Sequence, residues 1–466
     1  MTSPIPPLLR AHSSDEYAPV PWSRRERRAA ATAHGAAERH RRVLGLSASA
    51  YLADRRGTAA TLRALDAGSG GGFYRVPVEA EVDADAADAA FAATGPVVDV
   101  QTHLVDPERW RGDGAAALAG FLRLVDPDRW VDPIDPHLLD AAAWAGHVFA
   151  SSETAIALLT STPGDAAHNV LVNSQIAATR ELVDRYAGTG RLRTHAIVHP
   201  NFGPRELDAM QGMQASLRPS GWKCYTLFGP PTAASPTGGW FLDDDEIGFP
   251  FLERVRASGT KVVAVHKGLG GPIPDASVAA ASPRDIGPAA AAFPDVNFLV
   301  YHSGYERNPD GEEGAYDPAD PSAGVDRLVA SLAAAGVRPG SNVYAELGST
   351  WFLMLRRPQE AAHVLGKLLL AVGPDRIVWG TDSIWYGSPQ ALIDAFRAFE
   401  IPERMQAAFG YPALTVETKA RILGTNARSV YGITDDEVAR ATADVERTWV
   451  DALRPDIAAA VAAAAR

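Results

Sequence analysis

The feature that most limits the fold is a repeated pattern. Short apolar, β-prone runs alternate with longer amphipathic stretches. The runs are 97–103, 155–160, 194–199, 222–227, 261–266, 296–302, 342–347 and 376–382. Helical patterns lie between them, as at 169–186, 205–217, 247–257, 325–335 and 359–372. Such alternation calls for parallel βα units, and eight of them predict an α/β protein, a (β/α)8 TIM barrel. Short apolar runs alone do not separate strand from helix. What separates them here is where the polar residues fall. "VVDVQTH" ends in His103, "THAIVH" in His199, "KVVAVH" in His266 and "NFLVYH" in His302. "NVYAEL" carries Glu346 near its end, and "RIVWGTD" closes on Asp382. The strand C-termini of a parallel barrel meet at one face, so these side chains are expected in one pocket. Each has a plainer reading. A histidine closing a strand can be a hydrogen-bonded rim residue, Asp382 a turn former or helix N-cap, and Glu346 a solvated charge. Recurrence at one strand position argues for the shared pocket.

The chain's 466 residues, 46% of them hydrophobic, suffice for a large core and exceed the usual single-domain length. The expected organisation is an N-terminal, partly helical extension over 1–95, a barrel over 96–432 and a C-terminal helical tail over 433–466. The closing helix spans 415–431, and the tail is expected to pack on the barrel or on a second copy of the chain, a homo-oligomer. The formal net charge of −12 argues against a nucleic-acid partner. A single cysteine, Cys224, leaves no disulfide framework and no thiolate metal site. No run approaches the roughly 20 apolar residues of a membrane span. Arg41-Arg42 ahead of the apolar stretch 45–53 loosely resembles a twin-arginine export signal, but that stretch is short and ends in Asp54-Arg55-Arg56. A surface amphipathic helix in a cytoplasmic protein is the expectation.

The motifs "DVQTH", "VAVHKG", "LVYHSG" and "VWGTDSIWYGSPQ" resemble those of strands 1, 5, 6 and 8 in the amidohydrolase superfamily, in its amidohydrolase-2 group of aromatic-acid decarboxylases and hydrolases. The resemblance covers about residues 95–432. It implies that His103 and His266 are metal ligands, that His302 is a ligand or orients metal-bound water, and that Asp382 is a ligand that doubles as a base. It places Lys223 of "GWKCY" on strand 4, where a lysine bridges two metals when carboxylated, pairs with Glu346 or Asp382, or meets a substrate carboxylate. The departure is Gln101, which stands where the family has a first histidine. An amide oxygen is a harder and weaker ligand than imidazole. Glu346, His199 or a modified Lys223 could compensate. An oxygen-richer set of Gln101, His103, His266, His302, Glu346 and Asp382 shifts the expected metal from zinc toward iron or manganese.

"YAELGSTW" on strand 7, "VHKG" and Gln101 together are similar to a branch of non-heme dinuclear iron oxygenases that hydroxylate unactivated C–H bonds. One type serves bacterial diterpenoid (platensimycin/platencin) biosynthesis. That resemblance implies two iron ions, O2 as co-substrate, and hydroxylation of a hydrophobic metabolite, with Asp382, His302 and Lys223 in catalytic roles. The alternative it leaves open is a zinc- or manganese-dependent hydrolase or non-oxidative decarboxylase. A third reading is a barrel that has lost its metal and serves only in binding. Trp222, Trp351, Trp385 and Tyr386 fall at or after strand ends, as do Phe228 and Trp240. Aromatic loops at a barrel mouth suit a bulky apolar small-molecule substrate.

Overall fold

The computed structural model describes residues 4–10, 21–125, 130–164, 167, 169–231, 238–269, 279–306, 313–444 and 446–464. Eight parallel strands follow one another around a single sheet. They are β1 (Val97–Thr102), β2 (Thr154–Leu159), β3 (Leu192–Ile197), β4 (Gly221–Tyr225), β5 (Val262–His266), β6 (Asn297–Tyr301), β7 (Val343–Glu346) and β8 (Ile377–Val378). All eight expected runs form strands. Helices cover the outside, among them Asn173–Ala187, Pro204–Leu217, Gly248–Ser258, Asp326–Ala334 and Pro358–Ala371. The fold is therefore the expected α/β barrel.

β8 is much shorter than its sequence run. Its ladder with β7 ends at Glu346–Val378. Beyond it, the Thr381 N–H and hydroxyl are drawn to the carboxylate of Asp99 on β1, at 3.0 and 2.5 Å. The segment still closes the barrel. Val100 N–H donates to Trp379 O, Asp382 N–H donates to Gln101 O, and Thr102 bridges Ser383 in parallel.

Strand alternation decides which side chains face the barrel axis. On β4, Lys223 points inward, its ammonium 3.6 Å from the Tyr301 ring centre and 4.4 Å from that of Tyr225. Trp222 and Cys224 join the outer core with Met210, Phe251 and Leu252. The barrel floor is polar but paired. His195 Nε2 lies 2.8 Å from the Tyr431 hydroxyl, its Nδ1 lies 3.2 Å from the Tyr301 hydroxyl, and Tyr301 donates to Val100 O at 2.8 Å.

The expected closing helix runs as Val416–Ala420, a π-turn at Arg421–Thr425 and Asn426–Tyr431. The tail forms Asp435–Ala443 and Trp449–Ala463. The second of these packs on the barrel, against Ala141–Ala145 and Asn173–Ala187. At the other end, Ser23 and Glu26 form a capping box that starts the long helix Arg24–Leu44, and Gly45, at φ 67°, ends it. Arg41 and Arg42 sit in its last turn, and the following apolar stretch is the short helix Ala48–Ala53 with Tyr51 and Leu52 buried. No helix among the described residues is long and apolar enough to cross a membrane.

Candidate metal centre

β1 delivers Gln101 and, just past its end, His103. The run after β8 delivers Asp382. All three are fully buried. Gln101 Nε2 lies 3.0 Å from Asp382 Oδ1, His103 Nε2 lies 3.0 Å from the same oxygen, and the two nitrogens are 3.3 Å apart. The Gln101 amide therefore donates to the Asp382 carboxylate. His103 Nδ1 is buried without a hydrogen-bond partner, and the ring stacks on Trp385 with centroids 5.9 Å apart.

β5 and β6 deliver a second pair. His266 Nδ1 and His302 Nε2 are 3.1 Å apart, and the Tyr225 ring stacks on His266 with centroids 5.5 Å apart. His302 Nδ1 lies 2.7 Å from Gly348 O. A carbonyl only accepts, so that nitrogen carries a proton and Nε2 is the ring atom turned toward His266.

Backbone strain collects here. His302, Ser303, Ser349 and Asp382 hold φ of 59°, 53°, 54° and 61°. Non-glycine residues rarely adopt this left-handed region, and such strain gathers where surroundings over-determine a site. The surroundings include Glu346. Its carboxylate accepts from His302 N–H at 3.0 Å and from Gly348 N–H at 2.6 Å. Burial pushes its pKa up to about 8, against the pull of the nearby His302. A Cβ on Gly380 would fall 1.7 Å from Glu346 Oε1. One on Gly348 would fall 2.2 Å from Gln101 Oε1. Only glycine leaves room for Gln101 and Glu346 to approach this closely.

The six expected ligands thus sort into three tasks. Gln101, His103 and Asp382 form one triangle, His266 and His302 form a pair, and Glu346 holds the backbone between them. Among the described residues, no three His, Cys, Asp or Glu side chains converge as a metal-holding group. The third corner of the β1–β8 triangle is an amide. Its dimensions suit an ion: two ligand atoms about 2.1 Å from one centre at right angles lie about 3 Å apart. The donor types suit one too, once the amide is turned to present its oxygen.

Other expected site residues lie elsewhere. His199 sits past β3 between the rings of Phe202 and Phe228, with Nδ1 3.8 Å from Glu206 Oε1. It joins no metal-holding group among the described residues. Lys223 lies one turn of the pleat below the Tyr225–His266 layer, over aromatic rings. Two expected substrate contacts need correction. Trp222 faces out of the barrel, and its indole N–H reaches Ser258 Oγ and Thr260 O. Trp351 packs on Phe396 and Phe399 and donates to Leu392 O. Both follow strand alternation and helix packing, which position near a strand end does not reveal. Trp385 and Tyr386 do reach the site. The Tyr386 hydroxyl is 2.6 Å from Ser349 Oγ, and Ser349 donates to Asp382 Oδ2.

Two residues passed unnoticed in the sequence. Asp99, fully buried, accepts from the N–H groups of Gln101 and Thr381 and from the Thr381 hydroxyl. Burial outweighs those bonds and raises its pKa to about 7. It fastens β1 to the strand 8 run, and its signal was the acidic residue inside an otherwise apolar strand. Ser349, just after Glu346, was legible only by extending the strand-end rule into the loop.

No curated protein matches the sequence. Among solved structures, 2,6-dihydroxybenzoate decarboxylase from Rhizobium is similar at 16% identity and a TM-score of 0.42, over 73% of this chain and 99% of that one. A manganese-bound 5-carboxyvanillate decarboxylase from Novosphingobium aromaticivorans is similar at 15% and 0.42, over 73% and 97%. A dihydroxybenzoic acid decarboxylase from a Polaromonas species is similar at 15% and 0.43, over 74% and 99%. Residues 98–433 match the profile of the Amidohydrolase family, which spans the whole barrel, and the chain belongs to that family.

Proposed function

We propose that the protein is a metal-dependent enzyme that hydrolyses or non-oxidatively decarboxylates a small organic substrate. The observation that carries this is the triangle of Gln101, His103 and Asp382, with donor atoms 3.0–3.3 Å apart at the strand C-termini. Family membership supports it. A bound divalent ion supplies Lewis acidity, polarising a carbonyl or carboxyl oxygen and acidifying water. His103, Asp382 and Gln101 would hold that ion. The protein's own groups handle protons. Gly348 O holds the protonated Nδ1 of His302 and so aims Nε2 at His266, the ring atom through which this imidazole can pass a proton. Ser349 fixes the rotation of the Asp382 carboxylate by occupying Oδ2, which leaves Oδ1 facing His103 and Gln101. The buried site excludes bulk water, which strengthens each of these interactions.

A second reading rests on Gln101 together with "VHKG" and "YAELGSTW". The amide makes the donor set oxygen-richer, which suits iron, and the resemblance of those motifs to non-heme dinuclear iron oxygenases implies oxygen-dependent hydroxylation of a hydrophobic metabolite such as a diterpenoid.

One experiment separates the two. The protein is stripped with a chelator, reloaded with zinc, manganese or ferrous iron, and assayed for acid or CO2 release from aromatic carboxylates and amides, under nitrogen and in air. The first reading expects turnover with zinc or manganese, unaffected by removing oxygen, and lost with Asp382→Asn together with at least about tenfold in metal affinity. No acid or CO2 release with any metal, together with oxygen uptake by the iron form on adding a hydrophobic substrate, overturns it in favour of the second.

A further inference from the structure

The N-terminal extension lies outside the family match, yet it reaches the metal centre through a chain of contacts. We infer that it is a working part of that centre. Glu26, in the first turn of the helix Arg24–Leu44, is a positioning residue for Asp382. The inference rests on the reading of Asp382 as a ligand.

The chain begins at a buried charge. Glu26 Oε1 lies 3.0 Å from Arg356 Nε, and both side chains are fully buried. Arg357 Nε lies 4.0 Å from the other carboxylate oxygen. The Tyr74 hydroxyl, also from the extension, donates to the carbonyl of Leu355. Residues 355–357 are thus gripped at two points by chain that precedes the barrel. They directly follow the helix Thr350–Met354, whose N-cap is Ser349.

The grip continues inward. The Arg356 guanidinium is 5.9 Å from the Phe352 ring centre. Phe352 stacks on Tyr386, with centroids 4.3 Å apart and planes 20° apart. Ser349 donates to Asp382 Oδ2, so the Tyr386 hydroxyl donates to Ser349 Oγ, 2.6 Å away. Asp382 Oδ1 in turn faces His103 Nε2. The links are an ion pair, a cation–ring contact, a ring stack and two hydrogen bonds. A further clamp holds the far side: Arg55 of the extension pairs with buried Asp394 in the helix Gln390–Ala398, a few residues past Tyr386.

Removing one partner of a buried ion pair is strongly destabilising, because the remaining charge keeps its desolvation cost and loses that carboxylate's attraction. Removing the Glu26 charge therefore shifts Arg356. It then frees Phe352 and Tyr386, and loosens Ser349 and Asp382 about 30 residues apart in sequence but joined through one hydroxyl.

The test is hydrogen exchange on the full-length, metal-free protein. Glu26→Gln is compared with wild type and with Ala37→Gly, which weakens the same helix at a fully buried position without touching the clamp. The expected result is exchange at least about fivefold faster over 347–356 and 381–388 in Glu26→Gln alone. Equal protection in all three proteins overturns the inference. So does equal acceleration in both variants, which would mark Glu26 as structural only. Manganese titration supplies a second readout: Glu26→Gln is expected to bind about tenfold more weakly, and Ala37→Gly like wild type. If wild type binds no manganese, zinc or iron, the metal-enzyme reading fails, while the exchange data still decide whether the extension holds Asp382.

Discussion

At the scale of single residues, Gln101 is the point on which the chemistry turns. Its amide occupies a place shaped by Gly348 and Gly380, and it donates to the carboxylate that a metal would share. An imidazole there would add a strong nitrogen donor for zinc. Gln101→His is therefore expected to raise zinc affinity at least about tenfold in a chelator-competition titration. An unchanged affinity would mean that residue 101 does not face the ion. His195 gives a second prediction. Full burial, with Lys223 and His103 adding to it, lowers its pKa from 6.5 to about 3. The unfolded chain thus binds a proton below pH 6.5 that the folded chain refuses, and stability falls as pH drops from 6.5 toward 3. A shift of one unit corresponds to about 1.4 kcal/mol, so this residue contributes about that much slope per pH unit. His195→Gln is expected to flatten the urea-unfolding free energy between pH 6.5 and 4.5 by about one proton's worth. An unaltered slope would place the titration elsewhere.

At the scale of elements, the strands were legible because their function forces a signature. Each must be apolar along its length and polar at its end, and that pattern survives in one dimension. The same rule failed wherever position depended on rotation about the strand. Trp222 and Lys223 are neighbours in sequence, yet one faces the helices and the other the barrel axis. The short β8 was illegible because the Asp99–Thr381 bonds that bend its run join residues 282 positions apart. The division of ligands into a triangle and a pair was likewise set by three-dimensional spacing. The tail was read as helix but left open between the barrel and another subunit. Its partners are now visible: Trp449 packs edge-on against Phe149, and Leu453 and Ile457 are fully buried. Leu453→Ala should then cost about 2–5 kcal/mol, the range for truncating a buried leucine. Urea unfolding measures it, and a loss below about 0.5 kcal/mol would mean that the tail is not docked on the barrel in solution.

At the scale of the whole molecule, the candidate ligands tie together parts of the chain that no local element joins. Gln101 and His103 belong to the barrel's first strand, His266 and His302 to its middle, and Asp382 to the run that closes it against the first. An ion held by Gln101, His103 and Asp382 would sit across that seam. The seam is otherwise held by a few backbone bonds and by Asp99. Binding to the folded state alone stabilises it by mass action, about 2.7 kcal/mol at one hundred times the dissociation constant. In a chain of this length that amounts to a rise of a few degrees in unfolding temperature. Adding manganese or zinc to chelator-treated protein should therefore raise the midpoint, and the rise should grow with the logarithm of metal concentration above the dissociation constant. Asp382→Asn, altered on one side of the seam, should lose most of the rise. His199→Ala, outside the group, should keep it. A rise that survives Asp382→Asn but disappears with His199→Ala would move the metal site from the barrel seam to the surroundings of His199 past β3.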